Sequence, residues 1–145
     1  MADQILLFNS SQFENNAISS SLTFNGYAVI AEKYDLKRCQ QLLSTAKVDV
    51  LVVELISRDN LNFARNLRSI NKQVGIVFIS PIHDLRLFEI QMDELPDRSQ
   101  IIYKPSISNF EVILEAIVRS KDFTADKQWI NPPETEKTEE LPTFR

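Results

Sequence analysis

Residues 48–55 read VDVLVVEL, an apolar run rich in β-branched residues that carries one carboxylate, Glu54, near its end. A run of this length without polar alternation is typical of a strand that is buried on both faces of a parallel sheet. Four other segments have a similar character: 5–8, 27–31, 74–79 and 101–103. The sequence therefore predicts five strands.

Helical patterns separate the predicted strands. In the first of them, Ser11 and Glu14 have the spacing of a capping box, and Gly26 is well placed to end the helix in a left-handed conformation. Four residues recur along this helix at near-helical spacing: Phe13, Ala17, Ser21 and Phe24. Further helices are predicted around residues 35–43, 61–68, 84–92 and 110–117. This alternation predicts an α/β fold with a doubly wound, five-stranded parallel sheet, a flavodoxin-like three-layer sandwich.

The composition changes after Lys121. Residues 122–145 contain few periodic apolar positions, several prolines and four closely spaced acidic residues: Glu134, Glu136, Glu139 and Glu140. We therefore predict a domain over residues 1–121 and a flexible, acidic, proline-containing tail that folding does not require. Trp129 and Ile130 are exceptions within the tail. They are expected to pack loosely on the domain, to stay exposed, or to form a short docking peptide.

The composition also excludes several classes of protein. The 145 residues fit one domain, and the net charge of −4 provides no basic field that would attract nucleic acid or anionic lipid. No apolar run reaches the roughly 18–20 residues of a membrane-spanning helix, and the first residues lack the basic start of a signal peptide. We expect a cytoplasmic protein without direct nucleic-acid or membrane binding. Cys39 and His83, each alone of its type, are expected to be a packed thiol and a loop residue.

Polar residues stand at the ends of four predicted strands. Asn9 follows the first strand, Glu54 and Ser80 end the third and the fourth, and Lys104 follows the fifth. In a doubly wound sheet the ligand site lies at the carboxyl ends of the central strands. We therefore expect these four side chains to converge.

Three stretches carry a resemblance to a known family. VDVLVVEL, IVFIS and IIYKP, at residues 48–55, 76–80 and 101–105, resemble the third, fourth and fifth strands of the receiver domain of bacterial response regulators, of the chemotaxis-receiver type. The resemblance spans about residues 4–121. It implies a role in phosphorelay, or two-component, signal transduction.

Five positions match the phosphoacceptor pocket of that family: Asn9, Ser10, Glu54, Ser80 and Lys104. The resemblance places Glu54 at the acceptor aspartate, with its carboxylate one methylene further out. It places Asn9 and Ser10 at the two acidic residues that hold Mg²⁺, whereas Ser80 and Lys104 match the family. Phosphoryl transfer depends on positioning and on neutralisation of charge by the metal. The resemblance therefore implies a degenerate form, a pseudo-receiver, with Mg²⁺ binding lost and no cofactor.

Two further positions concern the aromatic switch residue of the family. Ile101 stands where this aromatic often lies, three residues before Lys104, and Tyr103 is expected on the opposite face of the strand. A pair between Glu54 and Lys104 would be charge-assisted. It would either hold the domain in an arrangement like the activated one, or only compensate two half-buried charges.

The chain is accordingly predicted to be a phosphorylation-independent protein-interaction module, not an enzyme. Its partner is expected to be a histidine kinase, another regulator or an output protein. The predicted contact face comprises the fourth helix, the fifth strand and the last helix with Glu111, Glu115 and Arg119, and this face could also form a homodimer. One alternative is a receiver that accepts phosphate at an unusual residue. A flavodoxin-like small-molecule enzyme is a weaker alternative, because the chain has only two glycines and no Gly-rich phosphate loop.

Overall fold

The structure, a computed structural model, describes residues 3–9, 11–32, 37, 41, 47–82, 84–103 and 110–130. Several residues discussed above lie outside these ranges: Ser10, Cys39, His83 and Lys104. The helix predicted over residues 35–43 is described only at Lys37 and Gln41, which are both helical.

A parallel sheet of six strands forms the middle layer of the fold. The strands are β1 Gln4–Phe8, β2 Ala28–Glu32, β3 Val50–Glu54, β4 Gly75–Ser80, β5 Gln100–Tyr103 and β6 Gln128–Trp129. Their order is β2-β1-β3-β4-β5-β6, and every neighbouring pair is parallel. The predicted doubly wound α/β class is confirmed. The predicted number of five strands is wrong, because a sixth strand of two residues pairs with β5.

Within the described ranges, the α-helices that cover the sheet are α1 Gln12–Phe24, α2 Arg58–Ile70 and α3 Glu111–Ser120. Alternate side chains of each strand point to opposite faces of the sheet, so the apolar strands contribute side chains to two separate hydrophobic cores. On one face, strand residues such as Leu51 and Phe78 pack with Phe63 of α2. On the other face, residues such as Val52 and Val77 belong to the cluster that includes Ile18 of α1 and Ile113 of α3. In the part of the chain that the structure describes, no helix is long and apolar enough to cross a membrane.

Helix α1 begins and ends as predicted but buries a different face. The Ser11 Oγ accepts a hydrogen bond from the Glu14 backbone N–H at 3.2 Å, and Gly26 has a φ of +91° just after the helix. Phe13 and Phe24, however, are 66% and 80% exposed. The residues that α1 buries against the sheet are Asn15, Ile18 and Leu22. The spacing of the two phenylalanines is helical, yet both side chains lie on the solvent side of α1.

The segment between β4 and β5 also differs from the prediction. The helix expected over residues 84–92 is replaced by two short 3₁₀ turns, Leu85–Phe88 and Met92–Glu94. Glu89 follows the first turn with a φ of 59°, a left-handed conformation that stops a helix from continuing. We call residues 84–95 the turn segment. Its apolar residues Leu85, Ile90 and Leu95 are buried in the same core as Phe63.

Strand β6 closes the outer edge of β5. The backbone N–H of Gln128 donates to the Ser99 carbonyl at 3.1 Å, and that of Ile130 donates to the Ile101 carbonyl at 2.8 Å. Trp129 packs on the α2 side of the sheet, and Ile130 packs on the α1 and α3 side. The segment that composition assigns to a tail therefore contributes a strand, while the flexibility of residues 131–145 stays a prediction outside the described ranges.

Candidate functional site

The parallel register brings three of the predicted site residues to the carboxyl edge of the sheet. Asn9 directly follows β1, Glu54 ends β3 and Ser80 ends β4. Phe8 is registered with Val53, so Asn9 and Glu54 follow side by side on neighbouring strands. Ser10 and Lys104 lie outside the described residues, so their part in the predicted convergence stays a prediction.

Asn9 is buried, and its polar atoms are used at the start of α1. Its side-chain Nδ2 donates to Glu14 Oε1 at 3.1 Å, and its Oδ1 accepts from the Ser11 backbone N–H at 3.4 Å. Its carbonyl oxygen accepts from the side-chain amide of Asn15 at 3.0 Å. Asn9 therefore links the end of β1 to the first turn of α1. These contacts also draw Asn15 inward, which explains why α1 buries the face that carries Ile18.

Glu54 is a buried carboxylate at the end of the most apolar strand. It is registered with Ile79 of β4, so by side-chain alternation it leaves the sheet on the face that α1 and α3 cover. The backbone N–H of the following Leu55 donates to the Ile79 carbonyl at 2.8 Å, which extends the strand pairing past Glu54. A carboxylate in such a position must be compensated by polar groups, because desolvation of its charge is costly.

Ser80 is buried and its hydroxyl is held by its own loop. The Ser80 Oγ donates to the Ile82 carbonyl at 2.6 Å and accepts from the Ile82 backbone N–H at 3.3 Å. Because Glu54 is registered with Ile79, Ser80 points to the other face of the sheet. Glu54 and Ser80 therefore end neighbouring strands but point to opposite faces of the sheet.

The two residues predicted at the switch position lie on the same face of β5. Ile101 is registered with Phe78, and Tyr103 is registered with Ser80. Residues two apart on a strand share a face, so the predicted placement of Tyr103 opposite Ile101 is wrong. Ile101 is part of the packed core, whereas Tyr103 lies at the edge of the sheet and is partly exposed.

Of the two positions that the resemblance associates with the acidic magnesium ligands, only Asn9 is among the described residues, and it carries an amide. Mg²⁺ in proteins is usually held through one or two carboxylates together with water and phosphate oxygens. Here the side-chain nitrogen of Asn9 is directed at Glu14, and its side-chain oxygen is bonded to Ser11. Among the described residues, no group of three or more carboxylate, imidazole or thiol side chains is arranged to hold a metal ion.

An ion pair between α2 and the turn segment lies near this edge, and sequence reasoning missed it. Arg58, four residues after Glu54, donates to the Glu89 carbonyl at 2.8 Å and pairs with the Glu94 carboxylate. The hydrogen bond from Arg58, and then that from the Gln91 backbone N–H, lower the pKa of Glu94 to about 2. Thirty-six positions separate Arg58 from Glu94, so no local pattern could have identified the pair.

Comparison with solved structures identifies proteins that share this fold. No protein-family model matches the sequence, and no curated protein sequence matches it. Among solved structures, a response regulator from Thermotoga maritima matches with a TM-score of 0.69 and 19% identity, over 83% of this chain and 98% of that one. A response regulator receiver protein from Sinorhizobium medicae matches with a TM-score of 0.64 and 26% identity, over 82% and 94%. The chemotaxis response regulator CheY4 of Vibrio cholerae matches with a TM-score of 0.67 and 17% identity, over 83% and 99%. The chain therefore has the fold of these receiver domains, at low sequence identity.

Proposed function

We propose that the chain is a pseudo-receiver, a non-enzymatic, cytoplasmic protein-interaction module in two-component signal transduction whose activity does not depend on phosphorylation. The observation that carries the proposal is the burial and hydrogen bonding of the Asn9 side chain. At the position where the receiver resemblance implies an acidic magnesium ligand, this chain has a buried amide that donates to Glu14 and is part of the start of α1.

Two other residues support the same proposal. The carboxylate of Glu54 stands one methylene further from the backbone than that of an aspartate, and the Ser80 hydroxyl is already hydrogen-bonded to Ile82 on both its donor and its acceptor side. Phosphoryl transfer has little covalent chemistry for the protein to perform and relies on positioning and electrostatic stabilisation. A displaced acceptor, an engaged hydroxyl and an amide in place of an acid each remove part of that positioning.

We expect no phosphorylation of the parent chain by small phosphodonors. Incubation with acetyl phosphate, with and without Mg²⁺, should leave the intact mass unchanged, and beryllofluoride should leave the amide NMR spectrum unchanged. The matched control is the triple variant Asn9→Asp, Ser10→Asp and Glu54→Asp, which restores the acidic set that the resemblance implies and should respond to beryllofluoride with Mg²⁺. A Mg²⁺-dependent adduct on Glu54 of the parent chain would instead support the alternative, a receiver with an unusual acceptor.

The partner surface in this proposal follows the observed structure. The outer edge of β5 is occupied by β6, and the expected fourth helix is replaced by the turn segment. We therefore assign the surface to the turn segment and the exposed side of α3, which carries Glu111 and the 3.1 Å ion pair between Glu115 and Arg119. A histidine kinase, another regulator or an output protein would contact this surface, and a symmetric dimer through it is the second arrangement.

The charge of Glu54 tests whether the degenerate pocket and this surface are connected. We expect Glu54→Gln to fold and to lose about 1–3 kcal/mol of stability, because the groups that compensate the buried carboxylate lose their charged partner. Lys104→Met is the matched variant for the opposite charge. Both are measured by denaturant unfolding and by affinity for the protein that co-purifies with the parent. Loss of affinity in both variants beyond the loss of stability would make the pocket a fixed switch, whereas unchanged affinity would assign binding to the helices and turns alone.

A further inference from the structure

A cavity lies at the opposite edge of the sheet from Glu54. Its volume is about 1130 Å³, slightly above the range of roughly 300–1,000 Å³ that is usual for small-molecule pockets. Its described lining comes from residues 47–49 ahead of β3, the second half of α2, residues 71–74 ahead of β4, and Lys121 and Phe123 after α3. Because all the strands are parallel, these segments meet at the amino ends of the strands, a full strand length from Glu54.

One side of this cavity is apolar, while Asn66, Ser69, Asn71 and Gln73 add uncharged polar groups to its lining. Val48, Phe63, Leu67 and Val74 line it and are otherwise part of the buried core. Ile70, at the end of α2, is 83% exposed, and Phe123 is 65% exposed, so two large apolar side chains stand at its mouth. Exposed apolar side chains grouped around a concave site are a mark of ligand or partner binding rather than of scattered surface residues.

The charged residues of the lining are mostly cationic. Three lysines line the cavity, Lys47, Lys72 and Lys121, against one acidic residue, Asp49. The Asp49 carboxylate accepts a hydrogen bond from the Gln4 backbone N–H at 2.8 Å, and Lys121 forms an ion pair with Asp3. The whole chain has a net charge of −4, so a cationic lining is contrary to its average composition.

Two arginines contact the segment of residues 71–74 that lines the cavity. Arg68 donates to the Val74 carbonyl at 2.8 Å, and Arg98 donates to the Lys72 carbonyl while its guanidinium lies 4.5 Å from the ring centre of Phe123. Burial, and then repulsion by Arg98, lower the pKa of Arg68 to about 10. In the described part of the chain, Arg68 Nε and Arg98 Nη1 are buried without a hydrogen-bond partner. Two guanidinium N–H groups here therefore have no acceptor, while the Asp97 carboxylate offsets part of the repulsion on Arg68.

We propose that this cavity binds a small amphipathic organic anion, a carboxylate or phosphate on an aromatic or branched aliphatic body. The apolar side takes the body of the molecule, and Lys47 and Lys72 at the rim take its charge. This site lies apart from the degenerate pocket, so it stands whether or not the proposed signalling role does.

The test uses the full-length chain and the fluorescent anion 8-anilinonaphthalene-1-sulfonate as the probe. We expect saturable binding with a blue-shifted emission and a concentration-dependent rise of the thermal midpoint, since a ligand of the folded state stabilises it. The uncharged analogue N-phenyl-1-naphthylamine, which lacks the sulfonate, should bind more weakly. In the double variant Lys47→Glu and Lys72→Glu, affinity for the anion should fall about tenfold or more. The midpoint without ligand should stay unchanged, because both side chains are exposed.

A second variant tests the apolar side of the site. Ile70→Ser removes an exposed apolar group at the mouth and should weaken both probes without unfolding the chain. Three results would overturn the proposal: no saturable binding, equal affinity of the charged and uncharged probes, or affinity that the lysine variant does not change. Displacement of the bound probe by a synthetic peptide of residues 131–145 would also overturn it, since the occupant would then be the chain's own acidic segment.

Discussion

Truncation after Lys121 is expected to lower the free energy of unfolding by about 3 kcal/mol and the thermal midpoint by about 10 °C. The truncation removes Trp129 and Ile130, which pack on the two opposite cores of the sheet. It also removes the backbone donors that satisfy the carbonyls of Ser99 and Ile101 along β5. Composition alone suggests that this segment is dispensable, so the expected loss is opposite to the prediction from sequence.

Polar contacts add to this expectation. Gln100 is buried, and its side-chain Nε2 donates to the Asp126 carbonyl at 2.9 Å. Lys127 Nζ donates to the Leu95 carbonyl of the turn segment at 2.7 Å. The Gln100 amide would keep its other acceptor, the Arg98 carbonyl at 3.0 Å, so the lost hydrogen bond to Asp126 adds about 1 kcal/mol to the expected destabilisation.

Two further chains serve as controls for the truncation. A chain that ends at Asn131 keeps β6 and should unfold like the parent, whereas Trp129→Ala in the full-length chain should show a substantial part of the loss. All four proteins are compared by calorimetry and by chemical denaturation. If the chain that ends at Lys121 kept the midpoint of the parent, β6 would add nothing to stability, and residues 122–145 would be a tail as composition suggests.

Gly75→Ala is expected to lower the free energy of unfolding by about 3 kcal/mol, a large effect for one added methyl group. Gly75 starts β4 directly beneath the last turn of α3. A Cβ atom on Gly75 would lie 3.0 Å from the Ser120 Cβ, 3.1 Å from the Ser120 carbonyl oxygen and closer still to the Ser120 Oγ. Both residues are buried, so α3 would have to move away from the sheet.

A double-variant cycle separates this clash from other effects. Ser120→Ala removes the closest atom, at the cost of the hydrogen bond that Ser120 Oγ donates to the Ile117 carbonyl at 2.8 Å. The combined variant should therefore recover part of the loss, and the two changes should be non-additive, as expected for residues in contact. Full additivity in denaturant unfolding would contradict the assignment of the loss to the contact between Gly75 and Ser120.

The sheet was largely predictable because its central strands are continuous apolar runs. The predicted runs at 5–8 and 74–79 overlap β1 and β4 almost residue for residue, and Glu54 ends β3 as expected. Such runs have one stable location, the middle of a sheet covered on both faces, so pattern and structure agree. Strand β6 was missed because two residues have no periodicity, and their pairing depends on an edge that only the folded sheet creates.

The helices show where local pattern fails. Ser11 and Gly26 mark the ends of α1 because capping and left-handed conformations are local properties. The buried face of α1 depends on Asn15, whose amide bonds to Asn9 across six positions, and no hydrophobic count favours an asparagine over Phe13. The turn segment likewise depends on Glu89 in a left-handed conformation, for which the sequence has no signal.

The candidate site was predictable in location but not in detail. The rule for parallel strand ends correctly placed Asn9, Glu54 and Ser80 at one edge of the sheet. It could not foresee that the Ser80 hydroxyl bonds to Ile82, or that the Asn9 amide is directed at Glu14, because both depend on loop conformation. Their assignment to a degenerate phosphoacceptor pocket rests on the resemblance and remains a proposal.

The position of β6 in the chain has a consequence for synthesis on the ribosome. At about 5–20 residues per second, translation reaches Trp129 a few seconds after it completes β5. Until then the carbonyls of Ser99 and Ile101 along the outer edge of β5 lack the N–H donors that Gln128 and Ile130 later provide. An open edge of this kind is a template for pairing with other chains. A chain that stops before residue 128 therefore keeps an edge of β5 that can pair with other chains.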